Sequence, residues 1–173
     1  MLIRVVLSAA LVVAFSLGVC GNAFAQRAFL NIPGIPGEST VEGYAGWIDV
    51  QAIRQNASLT AKKALACDVS VVKHIDAAGP ALWAAAASGL SVPEMLMTVL
   101  KSGLEGGAGA PVLIKLYDIR LSNVRVAGIQ AAAGTADSSE TVTLVPQAVT
   151  LTYYTQTQTG AVGQPVTQSF SCQ

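Results

Sequence analysis

The segment Gly79-Pro80-Ala81-Leu82-Trp83-Ala84-Ala85-Ala86-Ala87-Ser88-Gly89 constrains the fold most, because it is a helix set in a chain otherwise patterned for strands. Pro80 falls where a first helical residue belongs. Alanine has the best helix propensity, and Gly89 sits at the usual C-terminal stop. Leu82, Trp83 and Ala86 are expected to form the buried face. About ten residues make a marginal helix in water, so it must dock on a sheet or barrel.

Around it the signals are those of strands. Phe29 to Ile32 is a short apolar strand stopped by Pro33-Gly34 and Pro36-Gly37. Trp47 to Ile53 alternates between two faces. Residues 54–66 lack a clean period: Asn56-Ala57-Ser58 begins a loop, and Leu59 to Ala66 reads as a helical turn or an extended arm. Cys67 to Lys73 is a Val-rich strand. Met95 to Lys101 follows Pro93, and Gly103 to Ala110 is a glycine-rich connector. Val112 to Val126 is a long strand, bent near Asp118 or Asn123. Gly128 to Ser139 reads as a loop. Glu140 to Val145 and Val149 to Thr157 are strands separated by Pro146. Thr159 to Gly163 is a hairpin loop, and Val166 to Cys172 is the closing strand. Seven or eight strands with one helix indicate a mainly β fold, an antiparallel two-sheet barrel or sandwich with one short flanking helix at about residues 80–88.

The N-terminus belongs to a different program. Arg4 precedes the apolar run Val5 to Val19, and Ala23-Phe24-Ala25 follows. Charge, apolar stretch and small-x-small residues in that order form a secretory signal peptide, and the stretch is shorter than the ~20 residues that span a bilayer. Residues 1–25 are therefore expected to be cleaved between Ala25 and Gln26. Cys20 raises a lipoprotein alternative, which Val19 before it argues against. Residues 26–173 remain as a single domain, large enough to bury roughly 68–70% of its unfolded surface. The expected location is secreted or periplasmic, with no membrane association after removal of the signal.

Ten Lys+Arg balance ten Asp+Glu in the whole chain. No basic field exists to attract nucleic acid. Charged residues are 12% of the chain, about half the usual ~25%, which suits an extracellular setting or extensive subunit contacts. Cys67 and Cys172 are an even pair in an oxidising compartment, and we expect a disulfide between them, with two separate buried thiols as the alternative. Closing a loop of 105 positions stabilises by up to ~4.7 kcal/mol in the chain-entropy model.

Chemistry-bearing motifs are sparse. His74 is the only histidine, no Gly-x-Ser-x-Gly elbow exists, and one His with two distant Cys does not make a zinc site. His74 reads as a strand-end residue, and Asp76 as the start of the turn before the helix. Asp49, Asp68, Asp118 and Glu140 have no spacing that suggests a catalytic pair, and are expected to face solvent. Gly106-Gly107-Ala108-Gly109 lacks the Gly-Lys-Ser/Thr ending of a phosphate loop. No catalytic, cofactor-binding or metal-binding residue is assigned, and an enzyme is not expected.

Taken in order, the segments resemble a family. Phe29-Leu30-Asn31-Ile32-Pro33-Gly34-Ile35-Pro36-Gly37-Glu38-Ser39 is similar to the opening of the haemolysin-coregulated protein (Hcp) family of type VI secretion. Trp47-Ile48-Asp49-Val50 resembles its second strand. Val69 to Asp76, with Lys73 and Asp76 as Lys-x-x-Asp, then Pro80-Ala81-Leu82 and Ser88-Gly89, resemble its third strand and helix. Glu140-Thr141-Val142-Thr143-Leu144 and Tyr153-Tyr154 resemble its C-terminal strands. The resemblance covers nearly all of residues 29–172. It implies a two-sheet barrel with a flanking helix and a protruding loop within residues 51–66. It further implies hexameric rings that stack into a tube, partners among secretion-machinery proteins and effector cargo, and no catalysis. A second reading is an exported β-barrel binding module that keeps the fold without forming a tube; the signal peptide and the short loop motivate it. The resemblance and the signal peptide pull apart, since family members assemble in the cytoplasm and leave through their own machine.

Overall fold

The computed structural model describes residues 26–89, 91–104, 111–134, 138–157 and 162–173. The signal segment, most of the glycine connector and the tips of two loops lie outside the described residues. Within them are eight strands and one helix: β1 (Gln26–Asn31), β2 (Ile48–Leu59), β3 (Leu65–His74), α1 (Gly79–Ser88), β4 (Ser91–Leu104), β5 (Pro111–Ala132), β6 (Ser139–Val145), β7 (Ala148–Gln156) and β8 (Val162–Ser171). The chain is thus mainly β and antiparallel, with one short helix.

The strand order is β4-β1-β2-β3-β6-β5-β7-β8, and β4 also pairs with β5. That extra pairing closes six strands into a ring. β7 and β8 branch from it as a two-stranded ribbon. The branch point is in β5, which pairs with β7 through Tyr117–Ser122 and with β6 through Arg125–Ala132. Asn123, between the two stretches, has φ +49°. Asparagine tolerates this left-handed conformation better than most residues, so the bend expected near Asp118 or Asn123 falls at Asn123.

The interior is filled by the inward phase of each strand. In β3 the buried residues are Cys67, Val69, Val71 and Lys73; in β6 they are Glu140, Val142 and Leu144. Leu30, Ile48, Met95, Met97, Ile119 and Leu121 complete the core, and Leu82 of α1 packs into it. The helix ends at Gly89, whose φ of +65° is the left-handed C-terminal stop that glycine supplies without strain.

Several boundaries differ from the sequence expectations. Residues 54–66 hold no helical turn: β2 and β3 run as one hairpin to Leu59 and Leu65. Asn56 is in a strand, and its side-chain amide donates to Asp68 Oδ1 at 3.0 Å. β4 begins at Ser91 and contains Pro93. β5 continues through Gly128 to Ala132, where a loop was expected. In α1, Leu82 is buried as expected, but Trp83 is 48% exposed.

Between β1 and β2 the chain makes a compact excursion. Gly37 N–H donates to Gly46 O at 2.9 Å, and Ser39 N–H to Trp47 O at 3.0 Å. A side chain at Gly37 would collide with Trp47 O and the backbone of Ile48, so the Pro36-Gly37 pair serves close backbone approach as well as a turn. Tyr44 from this excursion stacks on buried Phe29, with ring centroids 4.6 Å apart.

Candidate functional site

The feature that projects furthest in character from the barrel is the β2–β3 hairpin. From Arg54 to Leu59 every β2 residue is exposed. A strand wetted on both faces has no reason to alternate, which is why residues 54–66 carried no period. The hairpin holds because its ladder continues: Asn56 pairs with Asp68, Ala57 with Cys67, Ser58 with Ala66 and Leu59 with Leu65. Its tip is closed by Thr60 N–H to Ala64 O (2.8 Å) and Lys63 N–H to Thr60 O (2.9 Å), with Lys63 at φ +60°. Leu59, at the tip, is 75% exposed. This exposed hairpin is an arm, and it lies within the residues 51–66 where the resemblance placed a protruding loop.

One face of the arm meets the β7–β8 ribbon. Gln55, Asn56, Ala57, Cys67, Asp68 and Val69 line a cleft of ≈160 Å³ opposite Val149, Leu151 and Phe170. The cleft is bridged at one end. Cys67 and Cys172 form a disulfide with Cα atoms 5.6 Å apart, inside the usual span for such bonds. Beside it, Gln173 N–H donates to Leu65 O at 2.7 Å, and Cys172 N–H to Gln147 O at 2.8 Å.

A second feature anchors the helix. Lys73 is fully buried and sits opposite Glu140 in the β3–β6 register. Its ammonium donates to Glu140 Oε2, Asp76 Oδ1 and His74 O, each at 2.7 Å. All three ammonium protons are used, which is what allows the charge to stay in the core. Asp76 Oδ1 also accepts from Ala78 N–H at 3.0 Å, and Glu140 Oε1 accepts from the Trp83 indole at 3.2 Å. The cluster thus ties β3, β6 and both ends of the turn into α1. It anchors α1 to the sheet through these bonds. The expectation that Glu140 faces solvent is wrong: Glu140 lies on the inward phase of β6, with Val142 and Leu144, and is 4% exposed.

Asp118 departs from the solvent-facing expectation in the same way. It accepts from Thr98 Oγ1 (2.7 Å), Tyr154 Oη (2.8 Å) and Lys115 Nζ (3.0 Å). Burial alone would lower the Lys115 pKa, but the hydrogen bond and charge of Asp118 leave it raised. The Tyr154 phenol is raised by burial and then by its bond to Asp118. Burial also raises Tyr44 and Tyr117. Asp49 and Asp68 remain at the surface, Asp49 facing Arg27 at 3.7 Å.

His74 closes β3, exposed, with the Gln51 amide 2.8 Å from its Nε2. Among the described residues no group of three or more His, Cys, Asp or Glu side chains could hold a metal ion. No described helix is long and apolar enough to cross a membrane.

Sequence reasoning found the two cysteines and missed the buried Lys73–Glu140 pair. The signal was present: both residues fall on the inward phase of strands whose other inward positions are Val and Leu.

The comparisons with known proteins agree with this architecture. By sequence, no curated protein matches the chain. By structure, Hcp1 from Salmonella typhimurium is similar at 26% identity and TM-score 0.69, over 85% of this chain and 94% of that one. A type VI secretion system effector from Yersinia pestis is similar at 19% identity and TM-score 0.66, over 83% and 98%. Secreted protein Hcp3 from Pseudomonas aeruginosa is similar at 19% identity and TM-score 0.62, over 86% and 99%. The family model described as "Type VI secretion system effector, Hcp" matches residues 29–153, which span β1 through most of β7. The chain therefore belongs to the Hcp family of type VI secretion system effectors.

Proposed function

We propose that this chain is a structural protein of a type VI secretion tube, acting by self-association and not by catalysis. The observation that carries the reading is the family match across residues 29–153, joined to a barrel whose β2–β3 arm is built as a stable strand pair yet left exposed. Copies associate side by side into hexameric rings, rings stack into a hollow tube through the arm, and effector cargo travels with the tube. Low charge over the whole chain, 12%, favours such contacts, since few charges need to be desolvated when surfaces meet. Electron microscopy of residues 26–173 tests the reading: rings of six subunits are expected, and fields of single particles without rings would contradict it.

We further propose that residues 1–25 are removed between Ala25 and Gln26, so that the folded domain reaches the periplasm or the exterior. The order of Arg4, the apolar run Val5 to Val19 and Ala23-Phe24-Ala25 supports this reading, and the family match begins downstream of the cleavage point, at residue 29. N-terminal sequencing of the exported protein is expected to start at Gln26; a start at Met1 would contradict it. The second reading, an exported β-barrel module that does not assemble, is favoured by this leader, because a chain delivered unassembled has left the compartment where the family builds its tubes.

A further inference from the structure

The arm and the C-terminal ribbon touch differently from any two neighbouring strands of the ring. β8 pairs with β7 on one edge and with no strand on the other among the described residues. Most of its side chains are exposed. Where it passes the arm there is no ladder. There is a cleft of ≈160 Å³, the Gln173–Leu65 backbone bond at 2.7 Å and the Cys67–Cys172 disulfide. Among the described residues, removing the covalent link leaves the Gln173–Leu65 backbone bond and the apolar side chains of Val149, Leu151 and Phe170 across the cleft to hold the ribbon against the arm. Segments with few buried contacts and exposed backbone open first.

We propose that the Cys67–Cys172 bond is a redox clasp between the arm and the C-terminal ribbon, and that its state sets whether the arm is held for association with other copies. The second half rests on the reading of the arm as an assembly element; the first half does not. Closing the clasp takes two protons and two electrons from the thiols, delivered to a disulfide oxidant that leaves as a dithiol. Opening reverses this. A dithiol's thiolate attacks one sulfur, the other cysteine leaves as a thiolate, and the second thiol of the reductant completes the exchange and departs as a cyclic disulfide. Cys67 lines the cleft, so the reductant's thiolate reaches the bond from that side. Both cysteines are otherwise buried, at 7% exposure, so the cleft is the route of entry. The clasp closes in an oxidising compartment and opens in a reducing one, which ties the shape of the arm to the side of the membrane on which the chain resides.

Hydrogen exchange on residues 26–173, read segment by segment with and without dithiothreitol, tests the clasp. On reduction, the exchange rate of amides in residues 55–67 and 162–173 is expected to rise at least about tenfold more than that of the Val71–Val142 ladder, whose own rise reports only the global loss of stability. Unchanged exchange in the arm and ribbon would overturn the clasp. A uniform rise across all strands would overturn it too, because the bond would then be a global staple. The double variant Cys67→Ala/Cys172→Ala is expected to show the reduced pattern and to ignore dithiothreitol. Light scattering on the same samples separates the two halves of the proposal. Loss of association on reduction supports control of assembly, and rings that persist while the arm opens overturn it. Monomers in both states would contradict the ring reading, with the exchange data still deciding the clasp.

Discussion

Two sides of the molecule are held together by different means. On the β1–β4–β5 side, β4 pairs with β1 from Leu96 to Lys101 and with β5 from Ser91 to Leu104. Backbone groups there find partners in sequence, with Leu30 and Met97 in the core behind them and Phe29 buried against Tyr44 on the other face of β1. On the other side the β8 edge faces the arm across a cleft and is joined to it by a disulfide and a backbone bond. A ladder spreads its stabilisation over many small terms, so no single residue controls it. A clasp concentrates its stabilisation in one bond, so a single chemical change releases it. The laddered side is scaffold, and the clasped side is where the molecule can respond.

Substitutions test that contrast, beginning with the laddered side. Phe29→Ala removes a fully buried ring stacked on Tyr44 and is expected to cost about 4 kcal/mol in denaturant unfolding. A loss below about 1 kcal/mol would show that the scaffold does not depend on that packing. Glu140→Leu leaves buried Lys73 with Asp76 as its remaining carboxylate. It is expected to cost about 3 kcal/mol and to loosen α1, read as faster amide exchange at residues 79–88. Opening the clasp with Cys67→Ala/Cys172→Ala is expected to cost about 2 kcal/mol. That lies below the chain-entropy limit for a loop of this length, because the released arm and C-terminus regain motion in the folded state, and a cost as large as that of Phe29→Ala would erase the distinction between the two sides.

A smaller effect is expected from pH. Lys115 and Tyr154 both have folded-state pKa values raised above their unfolded ones. Their contribution is complete below the unfolded values, near pH 10, and is lost as pH rises through the folded values. Stability should therefore fall on the alkaline side, and Asp118→Asn should let the Tyr154 phenol ionise at lower pH in an absorbance titration. An unchanged phenolate titration would remove Asp118 as the cause. The smallest effect on folding belongs to the arm: Leu59→Asp is expected to shift stability by no more than about 0.5 kcal/mol while weakening association on sizing.

The parts legible in the sequence were those with one wet and one dry face. Strands β6 and β7, the Pro80 entry to α1 and the Gly89 stop all follow rules that act within a few residues. The arm was not legible, because residues 54–59 are wet on both faces and no alternation survives. Trp83 was misread because its ring is apolar, yet it stays half exposed and turns only its indole N–H to buried Glu140. Glu140 and Lys73 are 67 positions apart, so their pairing depended on strand register and not on spacing. The cysteines were legible as candidates for each other; the cleft beside them was not, since it is made by four strands meeting.

Static light scattering of residues 26–173 under oxidising conditions, across a concentration series, tests the central claim most directly. A mass six times that of the chain, stable to dilution, is the expected result. A single-chain mass at every concentration would contradict the assignment of this barrel and its arm to a secretion tube.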